Sequence, residues 1–214
     1  IGVRNAHQQG LPFHVPDPGL SFAGRFLSLL TRRDPAPFEE RGFDLSLILY
    51  AEHEFNASTF AARLVTSTGS DFYSAITAAI GALKGPLHGG ANERVVEILE
   101  EVATPASAEE WVETQLADKR KIMGFGHRVY KTGDPRAKIL KQFCEDLART
   151  TRNYHWEETA DRIEAAMWKH KQIPPNLDWP AGRLYHYLGL DVSLYTPLFV
   201  ASRVAGWTAH AIEQ

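Results

Sequence analysis

The stretch KIMGFGHRVYKTGDPR, residues 121–136, decides how the chain is read. Gly124 and Gly126 flank Phe125, His127 follows, and a cationic loop ends in Asp134, Pro135 and Arg136. Asp-Pro is a helix-start signal: Asp134 can cap the first turn, and Pro135 suits the first helical position. Arg136 then falls in that first turn, where the helix dipole is already positive and a cation is disfavoured. Such doubled positive potential makes physical sense if an anion is meant to sit in front of it. One joint between helices thus offers a glycine-flanked histidine and an anion site, suited to a small carboxylated or phosphorylated molecule.

The flanking sequence is helical in pattern. On the N-terminal side, residues 21–30 carry a short helical pattern, and the spacing of Phe43, Leu47 and Tyr50 predicts a helix over 38–52. Asn56 is placed to cap a helix over 57–68, with Phe60 and Leu64 on one face. Residues 72–83 set Phe72, Ile76, Ile80 and Leu83 on one side and Ala75, Ala78, Ala79 and Ala82 on the other. A helix apolar all round is expected to be buried, and its alanines to allow close packing. Further helices are expected over 93–102, 108–119, 137–150 and around Ala160, Ile163 and Met167, the last stopped by Pro174 and Pro175. Residues 176–182 read as irregular. Thr196-Pro197 starts a final helix with Leu198, Ala201, Ala205 and Ile212 along one side. With no convincing alternation, repeat or low-complexity tract, the expected class is all-α, with its chemistry in the joints.

The 214 residues are 44% hydrophobic and 23% charged, enough for a large core or two domains. A net charge of −3 points to neither a nucleic-acid nor a membrane surface. The single cysteine, Cys144, rules out an internal disulfide framework and fits a reducing compartment. No apolar run approaches a membrane span, and no secretory leader is visible. A chain that begins at Ile1 and ends at Gln214 inside a helical pattern reads as a piece of a longer protein.

Several joint residues could carry chemistry. His88 sits in a Gly-rich loop over 84–92; it is either a turn residue or a group brought close to a ligand by its glycines. His53, between Glu52 and Glu54, is a polar helix end or a ligand contact. Asp178 stands beside Trp179, which Pro180 biases towards an extended conformation. Desolvation there would raise its pKa, as a general base requires; the alternative is a capping aspartate. Arg203 shares a helix face with Phe199, Val200 and Trp207 and needs an anion, either a protein carboxylate or a ligand's. No HExxH or CxxC spacing, Walker loop or dinucleotide fingerprint is present, and Cys144 lies in a helical stretch with no histidine in pattern.

Taken together, five segments resemble the citrate synthase family, in the family's order. GPLHGGAN (85–92) and GFGHRVYKTGDPR (124–136) look like its two histidine signatures; AEHEFNAST (51–59), PNLDWPAG (175–182) and LFVASRVAGW (198–207) match its other site segments. The resemblance implies a multihelical two-domain fold: a large domain over 1–89 and 192–214, and a small one over 90–191 that closes over substrate. It implies condensation of an acyl-CoA with oxaloacetate, followed by thioester hydrolysis. By that resemblance Asp178 removes the α-proton, His88 bonds the thioester oxygen and His127 polarises the keto group. Arg136, Arg203 and His53 hold oxaloacetate. The backbone of Lys121, Ile122, Met123, Gly124, Phe125 and Gly126 faces CoA, whose phosphates Lys131 reaches. No metal or redox cofactor is implied.

The resemblance further implies a homodimer with shared active sites, in the cytoplasm or, in a eukaryote, the mitochondrial matrix. AEHEFNAST and PNLDWPAG are closer to the 2-methylcitrate synthase branch, which implies propionyl-CoA beside acetyl-CoA. Two departures stand out: the family's N-terminal helices are absent, and its basic C-terminal tail would begin after Gln214. The alternatives are a non-catalytic CoA- or carboxylate-binding module, and a metal-dependent hydrolase using His53, His88 and His127.

Overall fold

The computed structural model describes residues 1–85 and 88–214; Pro86 and Leu87 of the His88 loop lie outside the described residues. Among the described residues the only β-type pairing is an isolated bridge between Phe125 and Pro175, and the rest of the regular structure is helical. The helices run in chain order as α1 (Gly2–Gln8), α2 (Phe22–Thr31), α3 (Pro37–Ala51), α4 (Ala57–Thr66), α5 (Phe72–Leu83) and α6 (Ala91–Val102). They continue as α7 (Ala108–Ala117), α8 (Pro135–Thr151), α9 (His155–Lys171), α10 (Asp178–Tyr187) and α11 (Tyr195–Ile212). No described helix is long and apolar enough to cross a membrane. The chain divides into two compact units, residues 1–90 with 193–214, and residues 91–192.

In the first unit, starts are set by side chains that satisfy first-turn N–H groups. Ser21 accepts from Gly24, Asn56 from Thr59 and Asp71 from Ser74. α11 packs on α3, α4 and α5, and α4 packs most extensively on α5. The buried face of α5 is the small one: Ala75, Ala79 and Leu83 are buried, whereas Phe72 and Ile80 are 43% and 40% exposed. Phe60 and Leu64 of α4 also face outward. The expectation of an α5 buried all round is therefore corrected. Alanines let α4 and α5 approach closely, and that contact turns the larger apolar side chains to the opposite surface.

The expected stripe of α11 is rotated as well. Its buried residues are Tyr195, Leu198, Phe199, Ser202, Arg203, Gly206 and Trp207, while Ile212 is exposed. Polar residues enter this face because α3 supplies acceptors at its C-terminal end: Ser202 Oγ donates to Leu47 O, and Arg203 Nε donates to Tyr50 O at 2.7 Å.

The second unit has its own core. Val95, Leu99, Val112, Ile163, Met167 and Trp179 form it, and Ile122 and Phe125 reach into it from the loop before α8. α10 packs on α6 and α8. Contrary to the sequence expectation, residues 178–182 are helical, since α10 begins at Asp178. Asn176 explains this start: its Oδ1 accepts from Asp178 N at 3.0 Å and its backbone carbonyl from Trp179 N at 3.2 Å. Pro180 then occupies the first turn, where a missing N–H forfeits no intrahelical bond.

Candidate active site

In the first unit, His88, His53 and Arg203 are placed by the junction of α3, α4 and α11. Ser58 lies in the first turn of α4, so its N–H has no partner within the helix. That N–H donates to His88 Nε2 at 3.2 Å, and Ser58 Oγ lies 2.8 Å from the same nitrogen. The hydrogen of a backbone N–H is fixed in direction, so Nε2 must be the acceptor and the proton of the neutral ring sits on Nδ1. Burial, followed by the nearby charge of Arg203, lowers the pKa of His88 below the ordinary histidine value. The positive end of α4 acts in the same direction. His88 is thereby a neutral imidazole with Nδ1–H available to donate.

Ser58 is itself held by α11, since the buried indole of Trp207 donates from Nε1 to Ser58 Oγ at 3.1 Å. The sequence expectation names Trp207 only as an apolar neighbour of Arg203 and gives Ser58 no role. A serine two places after a capping Asn was the available signal for a first-turn N–H in need of a partner.

Arg203, 3% exposed, donates to the carbonyl of Tyr50, one of the last four in α3. A helix C-terminus carries partial negative charge, so α3 offsets part of the cost of burying this guanidinium. The Phe199 ring lies 4.8 Å from the guanidinium carbon. His53 follows the end of α3, and its carbonyl accepts from Asn56 Nδ2 at 3.2 Å.

In the second unit, residues 121–136 are pinned to the segment leading into α10. Gly126 N donates to Pro174 O at 2.8 Å, Asn176 N to Gly124 O at 2.9 Å, and Asn176 Nδ2 to Gly126 O at 2.9 Å. Gly124 has φ +86, and a Cβ there would come within 2.8 Å of the Trp179 ring, so no other residue fits without displacement. Ile122 and Phe125 bury their side chains, leaving the backbone as the part of the loop that can face a ligand. Met123 packs against the same core.

His127 Nδ1 accepts from Val129 N at 3.0 Å and from Tyr130 N at 3.3 Å. This leaves Nε2 to carry the proton, the opposite tautomer to that of His88. Lys131 Nζ donates back to the His127 carbonyl at 3.2 Å. Asp134 caps α8 through Arg136 N at 3.0 Å, and its Oδ2 pairs with Arg136 Nη2 at 2.8 Å. The same Oδ2 accepts from Leu177 N at 3.2 Å, tying the α8 start to the α10 start. The doubled positive potential read from the sequence is thus offset at close range by the buried Asp134 carboxylate. Arg136 also lies over the Tyr130 ring, 5.5 Å from its centroid, and that ring lies 4.8 Å from His127.

Asp178 occupies the first position of α10, where a carboxylate is favoured by the helix dipole. The indole next to it in sequence points elsewhere: Trp179 is fully buried, contacts Phe125 and donates from Nε1 to Glu164 at 2.9 Å. The sequence picture of a carboxylate wedged against that indole in extended chain is replaced by one presented at a helix N-terminus.

Among the described residues, the cluster with metal-ligand spacing is the exposed trio Glu109, Glu113 and His170 in the second unit. Glu109 in that trio already pairs with Lys169.

The family model for the citrate synthase C-terminal domain matches residues 2–214. The chain is 49% identical over 207 residues to citrate synthase 2 of Bacillus subtilis, covering 97% of this chain and 56% of that protein. It is 48% identical over 214 residues to the 2-methylcitrate synthase of Mycobacterium tuberculosis, covering 100% of this chain and 54% of that protein. Among solved structures, a ternary complex of Thermoplasma acidophilum citrate synthase with carboxymethyl-CoA and oxaloacetate superimposes with a TM-score of 0.90 at 42% identity. That match covers 98% of this chain and 57% of the other. The chain therefore spans a little over half the length of these relatives. A family model matched along almost the whole sequence, and relatives sharing nearly half its residues, lead to one conclusion: the chain belongs to the citrate synthase family.

Proposed function

We propose that this chain carries catalytic machinery of an acyl-CoA:oxaloacetate condensing enzyme that forms citrate or 2-methylcitrate and releases CoA. In this reading the Asp178 carboxylate takes the α-proton of the acyl-CoA. His88 donates from Nδ1 to the thioester oxygen as the enol forms. The enol carbon attacks the keto carbon of oxaloacetate; the keto oxygen, polarised by His127 Nε2–H, takes that proton to become a hydroxyl, and the ring is reprotonated from solvent as Asp178 releases the α-proton. Water then cleaves the thioester, giving free CoA and the carboxylic acid. Arg136, Arg203 and His53 hold oxaloacetate carboxylates, and the backbone of 121–126 with Lys131 receives CoA. No metal or redox group takes part.

The observation that carries the reading is the tautomer of His88. A neutral imidazole polarises a thioester oxygen by donating a hydrogen bond and keeping its proton, whereas a charged one would hand its proton to the enolate. Ser58 N–H on Nε2, burial and the neighbouring Arg203 all hold His88 in that form. A preorganised donor of this kind is worth about 3 kcal/mol at the transition state.

Both acetyl-CoA and propionyl-CoA are proposed substrates. They differ by one methyl group, which an apolar pocket distinguishes by only about 1–3 kcal/mol. A homodimer is also proposed, supported by the apolar surface that Phe60, Leu64, Phe72, Tyr73 and Ile80 present on α4 and α5. The test is thiol release by the intact protein with oxaloacetate and either acyl-CoA, alongside Asp178→Asn. The variant is expected to lose turnover and α-proton exchange into deuterated solvent; unchanged turnover would refute the assigned base.

A further inference from the structure

Resting on the reading above, we propose that His210 is a positioning residue for oxaloacetate binding, acting on His53 through the Glu52 carboxylate. Glu52 is the extended residue that ends α3, and His53 follows it directly. Between α3 and α4, Asn56 bonds back to the carbonyls of His53 and Glu54, and Glu54 is held at φ +48. A short, strained segment of this kind needs an outside anchor to keep one geometry. The far end of α11 supplies it.

His210 Nε2 lies 3.1 Å from Glu52 Oε1, and its Nδ1 lies 3.3 Å from Arg63 Nη1. A guanidinium only donates, so Nδ1 accepts and Nε2 carries the proton given to Glu52. Arg63 is fixed in turn by a second bond to the His210 carbonyl at 3.1 Å and by the Phe55 ring 5.1 Å away. The Phe55 ring is also 5.2 Å from His210, so the residues flanking His53 and Glu54 on either side both rest on this cluster. Glu213 also faces it, 3.8 Å from His210 Nδ1 and 3.7 Å from Arg63 Nη1. Gly206 completes the seat: a Cβ there would collide with the Glu52 carboxylate and lie 2.5 Å from Ala51 O. The end of α3 therefore rests directly on the α11 backbone.

Arg203, Trp207 and His210 recur at helical spacing on α11 and each grips the α3–α4 junction at a different point. Arg203 holds Tyr50 O, Trp207 holds Ser58 behind His88, and His210 holds Glu52 beside His53. His210 reaches no reacting atom in this scheme, so its loss should weaken oxaloacetate binding and leave the chemical step intact.

The test compares His210→Ala, His210→Gln, Glu52→Ala and the Ala/Ala double variant in the intact protein, with thiol release followed against oxaloacetate and against acyl-CoA. His210→Ala and Glu52→Ala are each expected to raise the KM for oxaloacetate about tenfold, with kcat and the acyl-CoA KM within about twofold of wild type. The double variant should be no worse than either single one. His210→Gln, whose amide can accept from Arg63 and donate to Glu52, should restore the wild-type KM. An unchanged oxaloacetate KM in Glu52→Ala, which alters an exposed side chain and keeps the fold, would overturn the proposal. So would additive effects in the double variant, or equal losses in both KM values. Wild-type protein with no turnover on either acyl-CoA would instead remove the underlying functional reading.

Discussion

Replacing Arg183 by Leu tests how α10, and with it Asp178, is held. Arg183 is fully buried; its Nε lies 2.9 Å from Glu157 Oε1 and its Nη1 3.6 Å from Glu164 Oε1. Burial is the largest single influence and weighs against the guanidinium charge, but Glu157, Glu164 and the other groups around it together outweigh burial, and the arginine stays charged. Burial pushes the Glu157 carboxyl above its ordinary value even with Arg183 present. Arg183→Leu leaves that carboxylate buried without its partner, a loss of about 3–5 kcal/mol. At about 2–4 °C per kcal/mol for a chain of this size, the melting temperature should fall by about 10 °C. Adding Glu157→Leu removes the stranded charge, and the double variant should return to within about 1 kcal/mol of wild type or exceed it. A carboxyl whose folded pKa is raised leaves the fold most stable below its unfolded pKa and loses that contribution as pH rises. The single variant should therefore approach wild type on acidification and diverge from it towards neutrality. The assay is thermal unfolding by circular dichroism at several pH values, with thiol release recorded in parallel. A double variant as unstable as the single one would refute the reasoning, because it would mean that Arg183 acts by packing and not by pairing.

Gly124→Ala should cost about 2–5 kcal/mol, from a left-handed residue and a Cβ pressed on Trp179, and is checked by urea unfolding. His186 is stacked on Trp156 at 3.5 Å, and burial lowers its pKa against the opposing pull of Glu100. His88 is lowered too, so both contribute stability that is complete above the ordinary histidine pKa and is lost as pH falls through their folded values. The melting temperature should then drop between about pH 7 and 5, and His186→Phe, which keeps the stack, should flatten that slope. Phe60→Glu with Tyr73→Glu should convert the proposed homodimer to monomer in sedimentation velocity while leaving the melting of each unit intact; a persistent dimer would place the interface elsewhere.

The joints between helices were legible in the sequence because their chemistry is local. Asp134 caps α8 as its position before Pro135 suggested, and Asn56 caps α4 as its place just ahead of an amphipathic run suggested. What the sequence hid depends on partners far along the chain. Phe60, Leu64, Phe72 and Ile80 announce apolar helix faces, but periodicity is silent on whether a face meets its own unit or another surface. Arg203 announced a buried cation, yet one of its partners is the backbone carbonyl of Tyr50, and a carbonyl leaves no trace in side-chain pattern. At Asp178 the preference of Trp179 for extended backbone before Pro180 was outweighed by Asn176, whose side chain and carbonyl start the helix first.

These misses share a cause that bears on the chemistry. His88 and His127 look alike in sequence, each a histidine in a glycine-rich loop, and either tautomer was open to both. The fold separates them through backbone N–H groups: Ser58 N–H meets Nε2 of one, and Val129 with Tyr130 meets Nδ1 of the other. Each neutral ring is left with its donor on the opposite nitrogen, and in each a backbone N–H fixes which one. A donor fixed by main chain cannot be lost by a surface substitution and does not reorient as charge develops on a substrate oxygen. The prediction that follows concerns Ser58: Ser58→Ala retains the backbone N–H and so the His88 tautomer. It should lower kcat far less than His88→Ala, and equal losses in the two variants would show that the hydroxyl, not the helix N-terminus, sets the ring.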